Sequence, residues 1–257
     1  MKPTVVALHG NGGSRFRFAQ VVLLLEDRLD FHPLTLPGFG GTPISASIRS
    51  IGDYARWLEP ILQTFSPPVV VLGTGIGGSV ALELAQQPAN DLAGLILHTP
   101  VGAHLEQRWL PWLMSAPWVQ RLGQQMIATR WLRPLWQRLF FKHPIPPKHL
   151  EQFFEDYRNC AVFGQMFDWI TPAWFAALRP QPIPTALLWG GQERMLSPQQ
   201  LTAFQQLLPN HIVHIEPEWR HFPMLEQPAA YAAIISSLVK QLLPPSGGKP
   251  HPFMEKS

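Results

Sequence analysis

Short runs of β-branched and aliphatic residues alternate along the chain with stretches whose apolar positions recur at helical spacing. The runs predict strands near 4–9, 31–36, 68–73, 92–98, 183–189 and 211–216. The stretches between them predict helices over roughly 15–28, 50–65, 76–87, 198–208 and 228–243. The helix after Gly75 carries Val80, Leu82, Leu84 and Ala85 and meets a stop at Pro88. Strands that alternate with helices imply an α/β fold: a mostly parallel six-stranded sheet with helices on both faces. No internal repeat is visible.

One segment breaks the alternation. From Val101 to Thr171 no convincing strand occurs, and six of the ten tryptophans fall there: Trp109, Trp112, Trp118, Trp131, Trp136 and Trp169. Prolines at 111, 117, 134, 144, 146 and 147 divide it into short helices. An insertion between strands of a parallel sheet sits over their C-terminal ends, where ligands bind. The expected division is therefore a core from 1–100, a helical cap or lid over 101–171 and a second part of the core over 172–243. A Pro-, Gly- and Lys-rich tail over 244–257 is expected to be disordered.

Composition adds limits. The chain has 257 residues, enough for one α/β domain with an insertion, and its apolar share of 46% supplies a large core. A net charge of +3 gives no reason to expect nucleic acid as a partner. Cys160 is the single cysteine, so no intrachain disulfide can form, which fits a reducing compartment such as the cytoplasm. The apolar stretch after Lys2 and Pro3 is too short for a signal sequence, and no run of about 20 apolar residues suggests a membrane span.

The stretch Gly73-Thr74-Gly75-Ile76-Gly77-Gly78-Ser79 follows a predicted strand and opens a helix. It reads in two ways. Gly73, Gly75 and Gly78 match Gly-x-Gly-x-x-Gly, a dinucleotide fingerprint, and taken alone the stretch favours that reading. Gly73, Gly75 and Gly77 match Gly-x-Ser-x-Gly, a nucleophile elbow with glycine at the serine position. The surroundings favour the second. A dinucleotide fold needs an acid at the end of the next strand, yet 92–98 ends in His98-Thr99-Pro100. The fingerprint also normally lies on the first strand, and here two strands precede it.

Four further segments carry the argument. They are His9-Gly10-Asn11-Gly12-Gly13, then Leu36-Pro37-Gly38-Phe39-Gly40-Gly41-Thr42, then Leu188-Trp189-Gly190-Gly191-Gln192-Glu193-Arg194, and last Arg220-His221-Phe222-Pro223-Met224-Leu225-Glu226-Gln227-Pro228. In order and spacing they resemble the α/β-hydrolase fold superfamily over nearly the whole chain. The chain begins almost on the strand before His9, without the two leading strands common in that superfamily, as in its plant methylesterase group. The resemblance implies a histidine base at His221, a triad acid at Glu193 and the nucleophile position at Gly75. It also implies an oxyanion hole built from the N–H groups of Asn11 and Ile76, with no metal and no cofactor. Chain order is nucleophile, acid, histidine, as this fold requires.

Gly75 is the departure, because glycine cannot form an acyl-enzyme. Thr74 should point away from the turn and Ser79 lies a turn into the helix, so neither replaces a nucleophile. His9 reads as a loop-shaping residue, and His98, His104 and His143 belong to no constellation. The expected function is a hydrolase-like enzyme acting on an apolar ester- or thioester-like or aromatic substrate through His221 and Glu193. The alternative is a non-catalytic protein whose pocket holds an apolar ligand, or whose surface holds a partner or a membrane. A nucleotide-dependent oxidoreductase is the remote third. Between Val101 and His149 the cap carries Arg108, Arg121, Arg130, Arg133, Arg138, Lys142 and Lys148 against the single acid Glu106. Basic residues interleaved with tryptophan suit peripheral contact with a membrane surface. The bland alternative is a lid whose arginines are simply solvated.

Overall fold

The protein is described from a computed structural model, which covers residues 2–87, 92–104 and 117–244. The expected tail from 245 onward and the stretch 105–116 of the expected cap lie outside the described residues. That stretch includes Glu106, Arg108, Trp109, Pro111 and Trp112.

Six parallel strands form one sheet in the order β2-β1-β3-β4-β5-β6. They are β1 (Thr4–Leu8), β2 (Asp30–Leu34), β3 (Val69–Thr74), β4 (Leu92–His98), β5 (Thr185–Gly190) and β6 (His211–Glu216). The central strands β1, β3 and β5 are buried at every position, which is why they read as continuous apolar runs. β6 lies at one edge and alternates between exposed and half-buried along its middle. β2 lies at the other edge, the place in a sheet where Pro33 is tolerated.

Helices cover both faces. The helix α1 (Ala19–Leu25) packs against the C-terminal helix Pro228–Leu242, while α2 (Ile51–Leu62) packs against α3 (Ile76–Ala85). The helix expected over 15–28 starts as a 3-10 turn, Arg15–Phe18, capped by the Ser14 hydroxyl, before α1 begins. The other elements fall within a few residues of their expected bounds.

Residues 117–177 hold helices at Pro117–Ala128, Arg133–Phe140, Pro147–Arg158, Gln165–Trp169 and Pro172–Ala177. Three of the six prolines expected to break helices instead start them: Pro117 and Pro147 stand at a first position and Pro134 at a second, as Pro172 does at the first position of the last helix of this segment. There the missing N–H costs nothing. These helices are tied to the loops that leave the sheet. Asn11 donates its side-chain N–H to the Phe163 carbonyl (3.1 Å), and Ser14 donates to Asp156 (2.7 Å). Beyond β2, Gly41 N–H donates to Asn159 O and Ala161 N–H to Gly38 O. Beyond β6, one Glu226 oxygen accepts the N–H groups of Lys142 and His143 (2.6 and 2.7 Å), and Lys142 pairs with Glu218. Among the described residues no helix is long and apolar enough to cross a membrane.

Candidate active site

A tight turn joins β3 to α3 at Gly75, where φ is +53° and ψ is −118°. The turn is held by Gly75 N–H donating to His98 O (3.1 Å) and by Gly75 O accepting from Gly78 and Val101 N–H. Its glycines have different reasons. A Cβ on Gly73 would meet Gly77 O at 2.4 Å, and one on Gly77 would meet Leu8 O at 2.6 Å. Those two positions are closed to any side chain, because backbone lies where the Cβ would go. At Gly75 the nearest atoms would be Gly10 Cα at 3.4 Å and Val101 Cγ2 at 4.0 Å. Space for a side chain exists there, and only the positive φ resists one. Close packing thus accounts for Gly73 and Gly77, and likewise for Gly78, whose Cβ would meet Pro100 at 2.8 Å.

The residue after the turn, Ile76, opens α3, so its N–H belongs to the first helical turn, which has no intrahelical acceptor. Asn11 lies in the loop after β1. The contact of Gly10 with the Gly75 position brings that loop against the turn.

Glu193 and His221 leave neighbouring strands, β5 and β6. Their loops approach closely because a Cβ at Gly190 would collide with Trp219 O at 2.5 Å. Backbone bonds from Gly191 N–H to Glu216 O and from Gln192 N–H to Trp219 O fasten the two loops together. His221 Nδ1 then stands 2.7 Å from Glu193 Oε2. The Glu193 side chain is 2% exposed, and its other oxygen accepts the N–H groups of Met195 (2.5 Å) and Leu196 (3.2 Å). Burial pushes this carboxyl upward. The His221 charge and the hydrogen bonds from His221, Met195 and Leu196 outweigh burial and hold it below its ordinary range. An ionised Glu193 accepts from Nδ1–H of His221 in either state of the ring, and in the neutral ring this fixes the tautomer that leaves Nε2 with its lone pair. His221 keeps 15% of its side chain exposed, so that lone pair belongs to a ring that solvent still reaches.

The other histidines divide. His9 is fully buried, and its Nε2 must accept, because Leu36 N–H can only donate to it (3.1 Å). Its Nδ1–H therefore donates to Gly10 O at 2.8 Å. Burial takes its pKa down to about 3, and the ring shapes the Gly10–Gly13 loop as expected. His98 is different from its sequence reading. It ends β4, is fully buried, and lies close enough to His221 and Glu193 to feel both charges. Burial first, then the His221 charge, lowers its pKa to about 3. Tyr231 Oη lies 3.3 Å from its Nδ1, while its Nε2 has no hydrogen-bond partner. Nothing in the sequence around His98 signals this, because its neighbours come from β5, β6 and the C-terminal helix.

Arg17 was also silent in the sequence. Its guanidinium is buried over the Phe153 ring (4.0 Å to the centroid) and the Phe222 ring (4.9 Å), and it donates to Gly12 O at 3.2 Å. Phe222 in turn packs edge-on to His221, centroids 4.8 Å apart. One buried cation thus braces the Gly10–Gly13 loop, the helix Pro147–Arg158 and the residue beside His221. Thr74 and Ser79 have structural uses. Thr74 Oγ1 donates to Leu8 O (3.2 Å), and Ser79 Oγ donates to Val101 O (2.6 Å).

A parallel sheet that carries a tight strand-to-helix turn after β3, and a paired acid and histidine on the loops after β5 and β6, defines a class of α/β proteins. The match of residues 5–234 to the alpha/beta hydrolase family model places this chain in that family. It is 23% identical to an uncharacterised hydrolase, YugF, of Bacillus subtilis over 93% of this chain and 90% of that one. It is 21% identical to the pimeloyl-[acyl-carrier protein] methyl ester esterase of Neisseria meningitidis serogroup A, covering 95% of this chain and 79% of the other. Among solved structures the epoxide hydrolase CorEH superposes with a TM-score of 0.75 at 16% identity, covering 93% and 92% of the two chains. The family model and the curated relatives support a function of the hydrolase type, and the superposition shows the fold.

Proposed function

We propose that the chain is a hydrolase-like enzyme that uses His221, oriented by Glu193, as a general base and forms no covalent acyl intermediate. The observation that supports this most is the buried, fully hydrogen-bonded Glu193 carboxylate on His221 Nδ1. Desolvating a carboxylate costs several kcal/mol unless such partners offset it. An oriented imidazole is what general-base chemistry needs.

In the proposed reaction His221 Nε2 takes a proton from water as the water oxygen bonds to the acyl carbon. The carbonyl electrons move to oxygen, and the N–H groups of Asn11 and Ile76 stabilise the oxyanion. Collapse breaks the bond to the leaving alkoxide or thiolate, which receives the proton back from His221. Gly75, at the position where relatives of this fold carry a nucleophile, leaves room for the water. The helices between 117 and 171 act as the cap, and the aromatic cluster of Phe140, Phe141, Phe153 and Phe222 beside His221 favours an apolar or aromatic substrate. We place the enzyme in the cytoplasm.

The test is turnover of a panel of aryl, alkyl and thioester substrates by the wild type and by His221→Ala. A loss of about a hundred-fold or more is expected for the variant. The second reading, a pocket protein without catalysis, rests on Gly75 itself. It is favoured if no substrate of the panel is turned over, whereas a turnover that survives His221→Ala unchanged would mean that His221 is not the base.

A further inference from the structure

We infer that the outer face of the helices Pro117–Ala128 and Arg133–Phe140 is a docking surface for an anionic lipid membrane. Along the first helix Trp118, Leu122 and Met126 follow one another at four-residue spacing, and they are 67%, 47% and 41% exposed. Trp131, Leu135 and Leu139 repeat that spacing in the next segment, and they are 79%, 52% and 50% exposed. Four residues make slightly more than one helical turn, so the first set and the pair Leu135 and Leu139 form stripes along their helices, with Trp131 exposed in the 3-10 turn Arg130–Leu132 that leads into the second. Half of the twelve large apolar side chains exposed among the described residues lie in these two sets.

The opposite sides of the same helices are anchored. Val119 is buried, and Gln124 donates to Tyr157 O and Cys160 O (2.9 and 2.6 Å). Trp136 donates its indole N–H to Met126 O at 2.9 Å and stacks on Phe140, which is itself buried. The inward side thus holds each helix in register, and the stripes point away from the protein. A helix face of Trp, Leu and Met kept in water needs another explanation than packing.

Charge selects the occupant. Residues 117–142 contain Arg121, Arg130, Arg133, Arg138 and Lys142 and no acid. Arg133 and Lys142 are used internally, pairing with Glu151, Glu155 and Glu218. Arg121, Arg130 and Arg138 are exposed beside the stripes and form no ion pair among the described residues. A second copy seated on this face would set the same arginines against each other across a two-fold axis. An anionic bilayer answers both features: apolar rings and chains enter the interface, and the guanidinium groups reach lipid phosphates. The inference does not depend on the catalytic reading, because none of its residues contacts Glu193 or His221.

The experiment is co-sedimentation of the full chain with vesicles of phosphatidylglycerol and phosphatidylcholine, beside vesicles of phosphatidylcholine alone. Binding to the anionic vesicles is expected, weakened by salt and accompanied by a blue shift of tryptophan emission. Each of Arg121→Gln, Arg130→Gln and Arg138→Gln should weaken partition by roughly five-fold. The pair Trp118→Ser with Trp131→Ser should remove it, while Leu23→Gln with Leu24→Gln on α1 should leave it unchanged. All these side chains are exposed, so the variants should keep the wild-type circular dichroism. The inference is overturned if the wild type ignores anionic vesicles, or if the double tryptophan variant partitions as well as the wild type. Capture by a purified acidic protein without vesicle binding would overturn it in favour of a protein partner. Dimerisation lost in the tryptophan pair, again without vesicle binding, would overturn it in favour of a second copy.

Discussion

The C-terminal edge of the sheet and the outer face of the helices at 117–140 treat water in opposite ways. At the sheet edge the buried Glu193 carboxylate has His221 and two backbone N–H groups, and His9 uses both ring nitrogens. On the helices, two tryptophans, three leucines and a methionine remain in solvent. Folding has closed the first account and left the second open. A buried carboxylate whose hydrogen bonds are all made is organised before any ligand arrives. An open apolar face is organised for something that arrives later. The oriented base and the proposed membrane face are therefore different kinds of feature, and different substitutions should separate them.

The largest expected effect comes from Gly75→Ser. The turn already has the backbone of a strained strand-to-helix corner, and a Cβ there touches nothing closer than 3.4 Å. A serine that His221 can activate should raise p-nitrophenyl ester hydrolysis on the order of a thousand-fold, or about 4 kcal/mol. Organophosphate probes should label this variant and leave the wild type unlabelled. Adding His221→Ala should abolish the gain. A folded Gly75→Ser variant that stays inactive on varied acyl esters would break the idea of a preorganised hydrolytic site.

Gly77→Ala sharpens the same contrast within one turn. Its Cβ would lie 2.6 Å from Leu8 O and 2.7 Å from His9 O, both backbone atoms that cannot step aside. A loss of about 3 kcal/mol or more is expected in urea unfolding. Gly75→Ala should cost less, since it carries only the penalty of its φ. Equal losses at the two positions would show that strain, and not crowding, governs the turn.

Acid should reveal the buried histidines. His98 is held neutral down to about pH 3 when folded, whereas an unfolded histidine takes its proton near 6.5. Between those values the unfolded chain binds more protons, so stability must fall as pH falls. His98 contributes up to about 1.4 kcal/mol per pH unit to that slope. His98→Gln should shed that part when unfolding free energy is followed from pH 7 to pH 5. An unchanged slope would mean that the ring is protonated in the folded state.

The fold was legible because its signals are local. Val69-Val70-Val71-Leu72 is apolar at every position, since β3 is covered on both faces. His221 and Glu193 could be placed because each lies in a longer run with turn glycines or prolines around it. Arg17 and His98 could not. Arg17 sits in a stretch that reads as an ordinary helix surface, and it is buried only because Phe153 and Phe222 arrive from more than 130 residues away. His98 acquires its surroundings from Tyr231 in the last helix and from the β5 and β6 loops. The stripes on the helices at 117–140 were half legible. Interleaved tryptophan and arginine stood in the sequence, but which side of each helix was left bare depended on Gln124 and Trp136 finding partners.

The smallest expected effect concerns Ser79, the hydroxyl nearest in sequence to Gly75 on its helical side. If the hydrogen bonds of the turn are structural, Ser79 is part of its scaffold and has no spare capacity for chemistry. Its Oγ donates to Val101 O at 2.6 Å, and the residue is fully buried. Its one proton is therefore committed, and neither solvent nor a substrate can reach the oxygen without opening the turn. Val101 N–H also donates to Gly75 O, so the Ser79 bond reinforces the strand-to-helix corner from the other side. Ser79→Ala should cost about 1 kcal/mol of stability, the usual worth of one such bond. It should leave any hydrolytic rate of the wild type unchanged, and likewise the labelling of Gly75→Ser by organophosphate. Differential scanning calorimetry and intact-protein mass spectrometry give the two readouts. If Ser79→Ala removes activity while the melting temperature hardly moves, the hydroxyl is a reacting group. The turn would then be open where its hydrogen bonds say it is shut.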